Sequence, residues 1–512
     1  MKKFVAILLS FILISIKPVI SQNKTETIVK DTCKQTSVLK EEKSVTHHSI
    51  IIGNNKIKYT ATAGNLIIKD AADSAIASIN YFSYALDDVN DPSSRPIAFS
   101  YNGGPGSSSI WLHMGALGPK RVETTDAGYT PPPPYKTVDN EYSIIDKIDL
   151  VMIDPVGTGF SKAVGKKQDK DFWGVDQDIS SISKFIKQYV SENNRWNSPK
   201  FLIGESYGTT RSAGIVDYLQ SNENMAFNGV ILVSLATDIG AIFDIPGSDR
   251  AYPMFLPSYT AISWYHHLLP DQPEELEPIL QKARKFALGE YSEALMKGND
   301  LSDSEKDVIA GKLHQFTGLS TDYIKKSNLR IEEGKYTQEL MNENNKVVGR
   351  LDARFLGTSF DPLSEMAEYD PQSASVSSAF TAAFLDYIHR DLKYGIEKNY
   401  NIMGNVYQHW DWKHKAPAKG EGQWLVNTGV DLAHAMIYNP HLKVLVLQGN
   451  YDLATPILGT EYMVSHLNID KDTQQHISIK YYDAGHMMYL YFPALKKMKE
   501  DMAEFIDSAL MK

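Results

Sequence analysis

The chain has 512 residues, a formal net charge of −10, 43% hydrophobic and 22% charged residues. This length holds a large core and two or three domains, and the composition excludes a disordered or membrane-embedded class. The acidic balance, with no basic stripe, argues against nucleic acid as a partner.

Lys2 and Lys3 precede an apolar run from Phe4 to Ile16, which has signal-peptide length and is too short for a comfortable membrane span. Val19 and Ser21 are small enough for a cleavage site, so residues 1–21 read as a signal peptide cut before Gln22, with an uncleaved anchor as the alternative. The protein is then exported, periplasmic or secreted, with no membrane attachment after cleavage. The single cysteine, Cys33, can form no internal disulfide and has no CxxC partner, a pattern that suits a bacterial exported protein. Residues 22–46 are rich in Lys, Thr, Glu and Ser and read as a flexible tail.

Strand signals follow. "IKYTATAGNLIIKD" and "ASINYFSYAL" alternate like antiparallel strands. Short apolar runs come next: "PIAFSYNGG", "DLVMIDPVG", "KFLIGESYG", "NGVILVSL" and "KVLVLQGNYD". Helix-like stretches such as "DISSISKFIKQYV" separate several of them, which predicts a mostly parallel sheet covered on both faces. Residues 236–424 break the order, being helical and more polar, and read as an inserted cap. The core is thus expected in two parts, 47–235 and 425–512. Within the cap, "HWDWKHK" (409–415) reads as solvated surface, with substrate contact as the alternative. His47–His48 and His266–His267 lack metal-ligand spacing and read as structural or solvated; no metal or other cofactor is expected.

"FLIGESYG" carries Gly-x-Ser-x-Gly at Gly204–Gly208. The pentapeptide alone is a weak signal. Here an apolar strand enters it and a helix leaves it, the setting of a nucleophile elbow that exposes the Ser206 hydroxyl. A serine needs a base to take its proton and an acid to orient that base, in the chain order Ser, Asp or Glu, His. Asp452 in "GNYDLATP" and His486 in "DAGHMMY" both follow strands and complete a Ser206–Asp452–His486 triad. The N–H of Tyr207 and a second one from the glycine loop in "SYNGGPGSSS" are expected to form an oxyanion hole.

The set "NGGPGSSS", "IDPVGTGFS", "GESYG", "GNYDLATP" and "AGH" resembles the serine carboxypeptidase family, in order and over nearly the whole mature chain. "WLHMGALGPKRV" and "DPVGTGFS" are most similar to its bacterial-type branch. The resemblance implies an α/β-hydrolase fold, with a central mostly parallel sheet and an inserted mainly helical cap. It implies release of C-terminal amino acids from peptides with a free C-terminus, through an acyl-enzyme on Ser206. It also implies Gly104 and Tyr207 as the oxyanion donors, and Asn102, Gly103 and Glu205 as the groups that bind the substrate carboxylate. The same triad also suits an esterase or acyltransferase. Two departures stand out. Ser107 replaces the family's usual cysteine, and Ala116 stands where a glutamate usually pairs with the residue at Glu205, so His113 is considered as a substitute.

Overall fold

The computed structural model describes residues 40–417, 422–423 and 425–511. The expected signal peptide, its cleavage site and Cys33 lie outside these residues.

β1 (Lys43–Ile52) and β2 (Asn55–Lys69) form a hairpin, and β3 (Ala75–Leu86) continues it antiparallel. β1 starts inside the stretch expected to be a tail. Lys43–Thr46 pair with Gly64–Ala61, so ladder hydrogen bonds override the polar composition that suggested disorder. The chain then switches to parallel pairing. β4 (Ile97–Tyr101), β5 (Asp149–Ile153), β6 (Lys200–Glu205), β7 (Gly229–Val233), β8 (Lys443–Gly449) and β9 (Ile477–Tyr482) lie in the order β5-β4-β6-β7-β8-β9. β3 joins β5 antiparallel and so fuses the hairpin to the parallel sheet.

All residues of β4, β5, β6 and β7 are buried, as expected of strands covered on both faces. Successive side chains alternate between two cores. Ala98, Leu150, Ile203 and Ile231 face one cluster; Phe99, Val151, Leu202 and Val230 face the other. The second face is covered by α1 (Val175–Glu192) and α2 (Tyr207–Glu223). In α1, Ile179, Ile182, Ile186 and Val190 recur at helical spacing and form the buried stripe.

The segment expected as one inserted cap divides in its packing. α3 (Ala251–Tyr265) and the helices after it bury Phe255, Tyr259, Leu313 and Tyr336 in a separate cluster, which they share with Tyr451, Leu453, Ile457 and Leu458 after β8. α4 (Pro371–Arg390) instead places Val376, Phe380 and Phe384 in the main core with Phe82 and Met152. Its apolar face is too large to leave off the sheet. α5 (Gly429–Tyr438) and α6 (Phe492–Leu510) complete the two helical layers.

The "HWDWKHK" segment is only half the solvated surface expected. His409, Asp411, Lys413 and Lys415 are exposed, but Trp410 and His414 are buried. His414 lies between two carboxylates, with Nδ1 2.7 Å from Asp176 Oδ1 and Nε2 2.9 Å from Asp431 Oδ2. Burial would discharge the imidazole, but the two carboxylates outweigh it and hold its pKa at about 9. The same burial raises the pKa of Asp431, so the clamp's net gain is smaller than the histidine alone implies. A folded-state pKa above the unfolded value gives stability that is present below about pH 6.5 and lost as pH rises through about 9. His414→Gln is expected to cost about 1–3 kcal/mol near pH 6. The gap in Tm between the variant and wild type should narrow towards pH 9.5. A constant gap in thermal melts across that range would rule out the charged clamp.

Candidate active site

Ser206 joins β6 to α2 with φ 60 and ψ −128, a backbone conformation costly for a residue with a side chain. Its N–H donates to Val233 O at 2.9 Å, which pins the turn to the next strand. Gly204 makes the turn possible: a Cβ there would stand 2.2 Å from the carbonyl oxygen of Gly208. The strained turn aims the Ser206 side chain into two cavities that flank it.

Asp452 follows β8 and His486 follows β9. His486 Nδ1 is 2.8 Å from Asp452 Oδ2. The Asp452 carboxylate is fully buried and also accepts from Ala454 N at 2.7 Å, Thr455 N at 3.0 Å and Thr455 Oγ1 at 2.6 Å. These donors leave the carboxylate one orientation, which assigns the Nδ1 proton of His486 to it and leaves Nε2 as a base. Burial would lower the His486 pKa, but the Asp452 charge and hydrogen bond, with Glu205 adding to them, leave it above the ordinary histidine value.

The loop after β4 lies directly against the start of α2. A Cβ on Gly103 would be 2.5 Å from Tyr207 N and 2.7 Å from Gly208 N, so only glycine allows this approach. Gly104 follows at φ 105. Tyr207 opens α2, where backbone N–H groups have no intrahelical acceptor and the helix dipole favours negative charge. Asn102 is held from three sides. Its O accepts from Arg211 Nη1 at 2.7 Å, its Oδ1 accepts from Leu112 N at 3.0 Å, and its Nδ2 donates to Glu205 Oε1 at 2.9 Å. Arg211 is itself fully buried and paired with Asp178 at 2.6 Å. Burial pushes the Glu205 pKa up to about 7, against the opposing effects of His486, Tyr489 and Asn102.

The structure brings all eight expected site residues together around Ser206. One cavity of about 550 Å³ is lined by Asn102, Gly103, Glu205 and His486. The other, of about 300 Å³, is lined by Tyr207, Ile242, Phe255 and Trp412. Gly104, Ser206, Arg350 and Leu351 line both. His113 does not take the part considered for it. Its Nε2 is 2.5 Å from Tyr84 Oη, its ring packs against Phe82 and Phe384, and burial lowers its pKa to about 3. Trp412 comes from the "HWDWKHK" segment, for which substrate contact is one of the two readings; Arg350, and Tyr489 next to Glu205, are not announced by the sequence.

A short strap at residues 350–353 joins the loops that carry Asp452 and His486. Leu453 N donates to Arg350 O at 3.0 Å and Ala353 N to Tyr451 O at 3.1 Å, on either side of Asp452. His486 N donates to Leu351 O at 2.6 Å, and Gly485 N to Asp352 Oδ2 at 3.0 Å. Asp352 is buried and pairs with Arg354 at 2.7 Å. Asp370 Oδ2 holds the strap by accepting from Arg350 N and Leu351 N at 2.6 and 3.0 Å. Nothing in "GRLDARF" signals this role, because it is carried mostly by backbone atoms. Among the described residues, no cluster of His, Cys, Asp and Glu could hold a metal ion.

A family model described as serine carboxypeptidase matches residues 59–490. The pheromone-processing carboxypeptidase KEX1 of Saccharomyces cerevisiae is 32% identical over 145 residues, 27% of this chain and 19% of that protein. Serine carboxypeptidase-like 45 of Arabidopsis thaliana is 26% identical over 176 residues, 34% of each chain. The chain thus spans much less than two thirds of the curated relatives it matches. The crystal structure of KEX1(Δ)p, a prohormone-processing carboxypeptidase from S. cerevisiae, superposes with a TM-score of 0.55 at 15% identity, over 88% of this chain and 91% of that one. At that identity the shared feature is the fold, an α/β-hydrolase sheet with helices on both faces.

Ser206→Ala and His486→Ala are each expected to lower kcat by about 10⁶-fold, and Asp452→Asn by about 10⁴-fold. Steady-state kinetics on an activated ester check this. Retention of a tenth of wild-type kcat by Ser206→Ala would refute the triad. Asp352→Ala removes the acceptor for Gly485 N–H and the main counterion of Arg354, so a stability loss of about 3 kcal/mol is expected, with kcat falling more than KM rises. Asp352→Asn keeps an acceptor and should restore most of kcat. Equal kcat in the folded Asn and Ala variants would show that the strap does not position the base.

Proposed function

We propose, starting from the fact that this chain belongs to the serine carboxypeptidase family, that it is an exported serine-type carboxypeptidase of the bacterial-type branch. It releases single amino acids from peptides with a free C-terminus. The observation that carries this reading is the placing of a buried carboxyl, Glu205, and the amide of Asn102 in the same cavity as Ser206 and His486. A protonated carboxyl there can donate to a chain-terminal carboxylate, while an ionised one repels it.

In this reading Ser206 Oγ attacks the last peptide carbonyl and His486 Nε2 takes its proton. Asp452 stabilises the imidazolium, and the N–H groups of Gly104 and Tyr207 hold the oxyanion. The C–N bond breaks, and His486 returns the proton to the leaving amino group. The terminal residue occupies the larger cavity with its carboxylate against Asn102, Gly103 and Glu205. The penultimate side chain occupies the smaller one, against Ile242, Phe255 and Trp412. Water then resolves the acyl-enzyme by the same base. The segment between β7 and β8 acts as the cap that walls both cavities. Export rests on Lys2, Lys3 and the apolar run after them. Among the described residues, no helix is long and apolar enough to cross a membrane.

Incubation with a mixed peptide pool, read by mass spectrometry, is expected to show ladders that shorten one residue at a time from the C-terminus. For free-acid peptides kcat/KM should fall as pH rises through about 7, where Glu205 ionises. Matched peptide amides should lack this limb, and Glu205→Gln should abolish it. Ester hydrolysis without peptide hydrolysis would favour the esterase or acyltransferase alternative.

A further inference from the structure

Glu205 has two carboxyl oxygens, and only Oε1 has a partner in full hydrogen-bond geometry, the amide of Asn102. Oε2 is buried without one, and so is the hydroxyl of Tyr489. The two side chains are 4% and 3% exposed. Buried polar atoms left alone are costly, and two of them in one place call for an explanation. The Tyr489 hydroxyl favours the ionised form of the Glu205 carboxyl, and it also interacts with the Asn102 amide that holds Oε1.

The tyrosine is placed there by the backbone. After His486 the chain enters a tight turn at Met488–Leu490. A Cβ on Gly115 would stand 2.3 and 2.5 Å from Tyr489 Cε2 and Cδ2, so the ring fills the space a side chain at 115 would need. Ala116 is buried and adds only a methyl group. His113, on the helical turn His113–Leu117 that also carries Gly115 and Ala116, is hydrogen-bonded to Tyr84. The groups around Glu205 are therefore Asn102, hydrogen-bonded to Oε1, the unpartnered hydroxyl of Tyr489, and the charges of His486 and Asp452.

We propose that Tyr489 is a positioning residue for recognition of the peptide's terminal carboxylate, its hydroxyl donating to Glu205 Oε2 while Asn102 donates to Oε1. A donor on each oxygen fixes the plane of the carboxyl and leaves its own proton for the substrate. The hydroxyl also sets a pH ceiling, because it stabilises the ionised form more than the neutral one. This inference rests on the reading of Glu205 as the carboxylate-binding group.

The test is kcat/KM against pH for wild type, Tyr489→Phe, Glu205→Gln and the double variant, on matched free-acid and amide peptides. Loss of a donor to an ionised carboxylate should raise the free-acid limb in Tyr489→Phe by about one pH unit. Amide peptides should show no such displacement, and the double variant should follow the pH profile of Glu205→Gln. Replacing Tyr489 with 3-fluorotyrosine, a stronger donor, should move the limb the other way, and it serves if the Phe variant does not fold. If Glu205→Gln removes the limb but Tyr489→Phe leaves it in place or lowers it, Tyr489 does not position Glu205, and the carboxylate reading stands. If the limb survives in Glu205→Gln, the carboxylate reading itself falls.

Discussion

The backbone of Ser206 is the constraint to which everything else in the site is fitted. A positive φ at a residue with a side chain costs on the order of 1–3 kcal/mol, so neighbours on several sides must hold it. Strand β7 holds it through Val233 O, and Gly204 admits the tight crossing of backbone. On the far side, the Asn102–Gly104 loop reaches the start of α2 only because Gly103 has no side chain. The buried Arg211–Asp178 pair fixes that loop from below through Asn102 O. The elbow, the Asn102–Gly104 loop and the buried ion pair are thus one mechanical unit.

Burial creates a second, electrostatic constraint. His486 and Glu205 both have raised pKa values, and each contributes to the other's titration. Under the proposed reading, catalysis needs a neutral base and a protonated carboxyl. The pair therefore holds one proton in the working state, and that proton must sit on Glu205 rather than on His486. Two groups this close titrate as a pair and share macroscopic pKa values. An incoming substrate carboxylate disfavours ionised Glu205, so binding itself biases the proton towards the working arrangement.

Much of this was legible in the sequence, because strands that end in functional loops leave a local signature. "KFLIGESYG" and "KVLVLQGNYD" show an apolar run, a turn and a reactive side chain within ten residues. The burial of α4 was not legible. Its pattern says that one face is apolar, but not whether that face meets the sheet or other cap helices. The strap was hidden because carbonyls at 350 and 351 do its work, and any side chain would supply them. Lys43–Thr46 read as tail because composition ignores the partner strand. Tyr489 stood three residues after the base in plain view, but its ring is explained only by a glycine that lies far back in the chain.

The strap changes what kind of object the inserted segment is. An insertion that only roofed the cavities could be exchanged between relatives as a module, and specificity would travel with it. Here the insertion supplies the acceptors for the backbone of Leu453 and His486, and the carboxylate that holds Gly485. A chimera joined at the strand ends would import foreign geometry under its own acid and base. Workable crossover points must leave residues 349–354 and Asp370 with the parent sheet.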